Sequence, residues 1–297
     1  MDEENKNNEK LSSAYGIAKN ATELDNGALS FDLSNLKDEE EGEYFIALFD
    51  VLGFSDLQKE IGLTKMHSQY KDLICDVVLK DLDKNPLAMT LVNINFRPAL
   101  VAGRIDIKYA YFSDTIILWA RQVKFLFPIF IDRCSEFLVK AIEIGLPLRG
   151  AISIGRAVMD KQSGIFIGEP IVEAARLESA QDWIGITFGN SIHSLPVDNN
   201  SFKFTEILFN YEKHMKPEKK MLNSMISVDW ARKAREQNKT EKIVSILTSR
   251  MEKFKDKAHY YSNTLDFMNY SLTNHDWAKK TVDSYKEKQK DVTQKPK

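Results

Sequence analysis

Two aspartates set in apolar surroundings are the residues of this chain best placed to do chemistry. Asp50 closes an apolar run within FIALFDVLGF, residues 45 to 54, and Asp114 lies in FSDTIILW, residues 112 to 119. A carboxylate at the end of a buried strand is costly unless it is paired or holds a metal. The local sequence offers neither aspartate an evident neutralising partner other than a metal. Val51, Leu52, Gly53 and Phe54 follow Asp50 as a short turn that can aim backbone N–H groups at an anion. Aspartates on neighbouring strand ends can hold two divalent cations, roughly 3.5–4 Å apart in such sites, serving an attacking and a leaving oxygen. Strand, carboxylate and anion-cradling turn together suit a nucleoside triphosphate. Each residue taken alone has a simpler reading: Asp50 as the cap of a helix starting near Ser55, Asp114 as an ordinary hairpin-turn aspartate.

The elements that must position these groups follow from the patterning. Residues 44–50 read as a buried strand, and helices occupy about 55–82. Residues 83–103, rich in Asn and Pro, read as a variable loop. Residues 104–120 alternate and read as two strands meeting at Phe112-Ser113-Asp114. A long amphipathic helix covers about 123–145 and stops at Gly145 and Pro147. A strand over 147–155, a short arm over 157–167 with a turn at Gly164, a helix over 169–181 and a strand over 184–188 complete the series. This is the ferredoxin-like βαββαβ order of an α+β fold. The expected organisation is a flexible acidic segment over 1–42, a catalytic domain over 43–200 and a mainly helical extension over 201–297.

Bulk properties narrow the function classes. The chain has 297 residues, a formal net charge of −2 and two cysteines, Cys75 and Cys134. The near-neutral balance gives no electrostatic footprint for nucleic acid. Both cysteines fall in apolar helical segments without metal spacing and read as buried thiols of a reducing cytosol. No apolar run is long enough to span a bilayer, so a cytoplasmic protein with no membrane contact is expected. The absence of a Gly-rich Walker sequence argues against a P-loop enzyme.

FDVLGF, the FSD hairpin, LPLRGAISIG (residues 146–155) and IGEPIVEAARLESA (residues 167–180) together resemble the class III nucleotidyl cyclase catalytic domain. The nearest resemblance is to the bacterial anti-phage pyrimidine cyclases of Pycsar systems, over about residues 43–190. It implies a class III cyclase core that cyclises UTP to 3′,5′-cyclic UMP and diphosphate, as a second messenger of anti-phage defence. It implies Asp50 and Asp114 as catalytic metal ligands for two Mn²⁺ or Mg²⁺ ions per site, helped by the Val51 carbonyl. Leu52, Gly53 and Phe54 would cradle the β- and γ-phosphates. Arg176 would be the transition-state arginine, its guanidinium contacting two phosphate oxygens at once. Paired instead with Glu173 or Glu178, it would be a surface helix arginine. Where the family carries a ribose-orienting asparagine four residues before that arginine, this chain has Val172. Arg149 reads as structural, its stem along a strand and its head paired. Lys124 reads as solvated.

The base pocket of similar adenylyl cyclases has a lysine four residues before the hairpin carboxylate, where this chain has Ala110 flanked by Tyr109 and Tyr111. A narrowed pocket carrying a hydroxyl suits a pyrimidine. A tyrosine hydroxyl can accept from uracil N3–H or donate to a carbonyl, so UTP and CTP are not separated. The resemblance further implies a homodimer with two composite sites, since each motif occurs once. The alternatives are a cytidylate cyclase and a catalytically inactive, cyclase-like nucleotide sensor. A diguanylate synthase shares the βαββαβ core, but the chain lacks a GGDEF-type turn.

Overall fold

Alternation along residues 44–49 sets the architecture, because every one of these side chains is buried. Phe45, Ala47 and Phe49 face one side of a sheet, and Tyr44, Ile46 and Leu48 face the other. A strand buried on both faces must be central, with helices or loops covering each side. The computed structural model describes residues 21–23, 29–31, 41–79, 88–94, 97–103, 106–123, 127–195, 207–209, 211, 213–222, 224 and 226–273.

In chain order the strands are β1 (Ala21–Glu23), β2 (Leu29–Phe31), β3 (Glu41–Val51), β4 (Ala88–Ile94), β5 (Arg97–Gly103), β6 (Lys108–Phe112) and β7 (Thr115–Arg121). They continue with β8 (Leu148–Asp160), β9 (Ile165–Gly168), β10 (Ile186–Phe188), β11 (Ile207–Phe209) and β12 (Ile226–Val228). The α-helices are α1 (Phe54–Ile61), α2 (Leu63–Leu73), α3 (Phe127–Glu143), α4 (Glu169–Ser179), α5 (Trp230–Glu236), α6 (Thr240–Lys253) and α7 (Ala258–Thr273). A single π-helical turn, Ile74–Val78, extends α2.

The main sheet runs β11-β12-β10-β8-β3-β7-β6, with β9 paired to β8. Its centre, β8-β3-β7-β6, is antiparallel throughout and carries the 4-1-3-2 order of a ferredoxin-like βαββαβ unit. The α+β class follows from that order. Helix α3 lies on the Phe45 face, where Phe127 and Phe137 meet Phe45 and Phe49 at ring distances of 4.9 and 5.2 Å. Helix α4 covers part of the other face, seating Ala174 and Leu177 on Leu48 and Ala151.

Several sequence expectations change. Residues 88–103 are not a loop: β4 and β5 form an antiparallel hairpin in a second sheet of order β1-β2-β5-β4. Among the described residues β2 meets β5 at Leu100 and Val101 and not at Pro98, whose neighbour there is β4 alone, a setting in which proline is tolerated. The strand over 147–155 extends to Asp160, and the arm after it is the β8–β9 hairpin with Gly164 in its turn. The C-terminal third adds two strands to its helices α5, α6 and α7: β12 pairs with β10 and β11 with β12. The proposed boundary at residue 200 divides a continuous core: Tyr211, Trp230, Leu247 and Phe267 share one cluster with Phe45 and Phe188. Cys134 is buried, whereas Cys75 is exposed. Most of the acidic segment 1–42, and Lys124, lie outside the described residues. No described helix is long and apolar enough to cross a membrane.

Candidate functional site

The β3–β7 register brings the two aspartates together. Asp50 is the ladder partner of Thr115, the residue after Asp114. The Val51 N–H donates to the Asp114 carbonyl at 3.0 Å, closing the end of the ladder. Ser113 and Asp114 form the two-residue β6–β7 loop, and Ser113 takes a positive φ of 55°, as primed hairpin turns require. Tyr70, on α2, donates from its hydroxyl to the Ser113 carbonyl at 3.2 Å. Burial, then the negative charges of Asp114 and Asp50, hold the Tyr70 hydroxyl far above its usual range. Both carboxylates therefore act on one spot beside this tyrosine.

Asp50 has a partner that its local sequence did not reveal. Arg149 stands directly opposite it on β8 and approaches Asp50 Oδ2 at 3.0 Å. The same guanidinium nitrogen lies 2.8 Å from Glu178 Oε1 on α4, and the other terminal nitrogen donates to the Gln181 carbonyl at 3.2 Å. Gln181 Nε2 in turn donates to the Gly150 carbonyl at 2.6 Å. The expected structural role of Arg149, a paired head on a strand-borne stem, matches this arrangement. Glu178 is raised to about 7, first by burial and then by Asp50 beside it, while Arg149 pulls the other way. One guanidinium thus serves two carboxylates.

The turn after Asp50 differs from expectation in one donor. The Leu52 N–H is already spent on the Pro147 carbonyl at 2.8 Å, so Leu52 cannot cradle an anion by that group. Gly53 has a left-handed φ of 70° and caps α1 without any side-chain hydrogen bond to the helix start. Asp56 and Leu57 donate their N–H groups to the Gly53 carbonyl at 3.1 and 3.0 Å, so the donors that the helix start itself does not use are those of Phe54 and Ser55. Gly53 also has Lys257 against it: a Cβ built there would meet the Lys257 amine at 2.8 Å.

Strand alternation separates the three expected base-pocket residues. Tyr109 and Tyr111 line a cavity of about 540 Å³ together with Phe54, Met66, Tyr70 and Ser113. Their rings are parallel, with an interplanar angle of 3° and centroids 6.5 Å apart. Ala110 points to the opposite face and packs among Tyr44, Ile46 and Trp119. The tyrosines therefore do not narrow the space at residue 110; they wall a different one.

Arg176 is exposed and lines a second cleft of about 960 Å³ with Val172, Glu173, Arg156 and Ser191. Neither suggested partner holds it. Glu173 accepts from the Ser191 hydroxyl at 2.5 Å, and Glu178 is engaged by Arg149. Among the described residues Arg176 makes no ion pair. The aspartates do not line this cleft, so the chain does not gather all its expected site residues into one pocket.

No protein-family model matches the chain, and no curated protein matches it. Among solved structures, it is similar to the catalytic core of a rhodopsin-guanylyl cyclase with converted specificity, in complex with ATPαS. The identity is 15% over 52% of this chain and 82% of that one, with a TM-score of 0.36. It is also similar to a class III adenylyl cyclase-like ATP-binding protein from Pseudomonas aeruginosa. There the identity is 13% over 66% of this chain and 43% of that one, with a TM-score of 0.32. At that distance neither likeness assigns the chain a family.

Among the described residues no group of three or more His, Cys, Asp and Glu side chains could hold a metal ion. Two carboxylates are nonetheless the donor set that suits Mg²⁺, which commonly takes one or two carboxylates and completes its shell with substrate phosphates and water. Asp50 and Asp114 fit that chemistry, and Arg149 occupies only Oδ2 of Asp50.

Proposed function

We propose that this chain is a nucleotide cyclase that converts UTP to 3′,5′-cyclic UMP and diphosphate, in the service of anti-phage signalling. The observation that carries the reading is the meeting of Asp50 and Asp114 at the adjoining ends of β3 and β7, one residue pair away from the open start of α1. The four sequence motifs that resemble class III cyclases support it, and so does the ferredoxin-like strand order.

The reaction joins the ribose 3′ oxygen to the α-phosphorus and breaks the bond from that phosphorus to the bridging oxygen of the β-phosphate. Asp50 and Asp114 would hold Mg²⁺ or Mn²⁺. A metal held there would supply a lowered pKa for the 3′ hydroxyl and neutralisation of triphosphate charge. The N–H groups at the start of α1 would hold the β- and γ-phosphates and keep the leaving diphosphate in line. Arg176, exposed and without an ion-pair partner among the described residues, would neutralise charge at the α-phosphate. Because the aspartates do not line the cleft that holds Arg176, the arginine would come from a second protomer, in a homodimer with two shared sites.

The pyrimidine assignment is supported by the absence of a lysine at residue 110. UTP is favoured over CTP by the resemblance alone. The second reading is a nucleotide sensor without turnover. It is favoured by Val172 in place of a ribose-orienting asparagine and by the hold of Arg149 on Asp50.

The test is incubation of the purified chain with each of the four ribonucleoside triphosphates and Mn²⁺, followed by identification of products by mass. Cyclic UMP as the main product supports the proposal. Preference for ATP overturns the pyrimidine assignment, and preference for CTP overturns only the choice between pyrimidines. Nucleotide binding without any cyclic product selects the sensor.

A further inference from the structure

The segment joining α6 to α7 lies against the start of α1. Lys257 reaches Asp56, in the first turn of α1, and its amine sits over Gly53. Three residues on, the Tyr260 ring lies 5.6 Å from the guanidinium carbon of Arg149, the partner of Asp50. The C-terminal part of the chain thus borders both the turn proposed to hold phosphate and the arginine that pairs with the carboxylate proposed to hold metal.

We infer that Lys257 is a substrate-positioning residue that contacts the terminal phosphates of the bound triphosphate. The inference rests on the nucleotide-cyclase reading and extends it to a residue outside the four motifs. A cation beside a helix N-terminus adds to the partial positive charge already there, an arrangement that is unfavourable unless an anion sits between the two. Asp56 supplies that anion in the free chain, yet its carboxylate is about half exposed. A polyphosphate entering the turn carries more charge than one carboxylate and competes for the same ammonium. Lys257 is 23% exposed, with a flexible stem that lets the amine move from one anion to the other.

A purely structural role for Lys257 is the competing explanation, and the fold provides its control. Glu60, one helical turn beyond Asp56, accepts Arg250 at 3.1 Å and Lys253 at 2.6 Å. These two pairs tie α6 to α1 without Lys257. Loss of the Lys257–Asp56 pair therefore leaves the two helices docked.

The experiment compares Lys257→Ala, Lys257→Arg and Asp56→Asn with the unaltered chain. It measures KM and kcat for the preferred triphosphate and inhibition by inorganic diphosphate. The expected result for Lys257→Ala is a KM raised about tenfold, the loss of one charge-assisted contact. Diphosphate inhibition should weaken in parallel, and kcat should change less. Lys257→Arg should restore most of the KM. Asp56→Asn should leave KM unchanged or lower it, because it frees the ammonium. An unchanged KM in Lys257→Ala overturns the inference, as does a rise in Asp56→Asn equal to that of Lys257→Ala, which would make the ion pair itself the cause. Absence of triphosphate turnover and binding in the unaltered chain overturns the nucleotide-cyclase reading and this inference with it. Turnover that is indifferent to Lys257 overturns the inference alone.

Discussion

Arg149 and Asp50 face each other across the β3–β8 ladder, guanidinium nitrogen to carboxylate oxygen at 3.0 Å. The same nitrogen holds Glu178, so one guanidinium is shared between two carboxylates at the end of the ladder. This pairing changes what substitution at the site should do to the fold.

Asp50→Ala and Asp114→Ala should each lower turnover by about 10²–10³ or more, the scale on which loss of one preorganised charged group is felt. Neither should unfold the chain. Arg149 keeps Glu178 when Asp50 is removed, and Asp114 sits in a two-residue hairpin loop that tolerates alanine. Steady-state rates, with circular dichroism as the fold control, check this. An unchanged rate in either variant rules out the carboxylate pair as the metal site.

Arg149→Met should be the variant that damages stability. It leaves Asp50 and Glu178 facing each other with no cation between them, and breaking a buried pair from one side costs about 3–5 kcal/mol. Partial exposure places the expected loss near the lower figure. Adding Asp50→Asn should recover part of it, because neighbouring changes in one network are not additive. Urea denaturation of the single and double variants measures both quantities.

Mixing Asp50→Ala protomers with Arg176→Ala protomers should restore part of the activity. The heterodimer keeps one intact shared site. Activity no higher than that of either component, once subunit exchange is verified by a tag on one protomer, would show that the site is not shared.

His214 predicts the response to acid. Its ring is 9% exposed, and burial, then Lys213, lower its pKa below the ordinary 6.5, against weaker raising by Asp266 and Asp182. The unfolded chain then binds the proton more readily than the folded one. The contribution of His214 to stability is complete above pH 6.5 and is lost as pH falls towards the lowered folded value. The slope for this single group is bounded by about 1.4 kcal/mol per pH unit. Thermal melts between pH 7.5 and pH 5 should show it, and His214→Gln should flatten it.

Local patterning made the central strands legible. The apolar run before Asp50 and the alternation around Asp114 identify β3, β6 and β7, and Gly145 with Pro147 ends α3 where expected. Register is what the sequence conceals. Arg149 lies 99 residues from Asp50, and only the β3–β8 pairing makes them neighbours. The loss of Leu52 as a donor likewise depends on where Pro147 lands. Ala110 and its flanking tyrosines looked like one pocket because they are adjacent in sequence, but a strand sends successive side chains to opposite faces. The β4–β5 hairpin was hidden by Asn and Pro, residues that ordinarily mark loops. The C-terminal helices carry their buried positions, Trp230, Ile243, Leu247 and Phe267, among many lysines and glutamates, so composition indicates helices there but not what they pack against.

Trp183, just before β10, packs on Phe267 in a tilted arrangement at a ring distance of 4.3 Å and meets Tyr211 at 5.2 Å, while the Ile184 N–H donates to the Thr264 hydroxyl at 2.9 Å. The four motifs end before residue 181, but the minimal folding unit does not. A truncation that keeps only the motif-bearing half would bare an indole, strip a buried amide of its acceptor and leave β10 as a raw edge. The motif-bearing half of this molecule is therefore not a portable module. Any gain or loss of its C-terminal helices in engineering or in descent has to be accompanied by a rebuilt wall around Trp183.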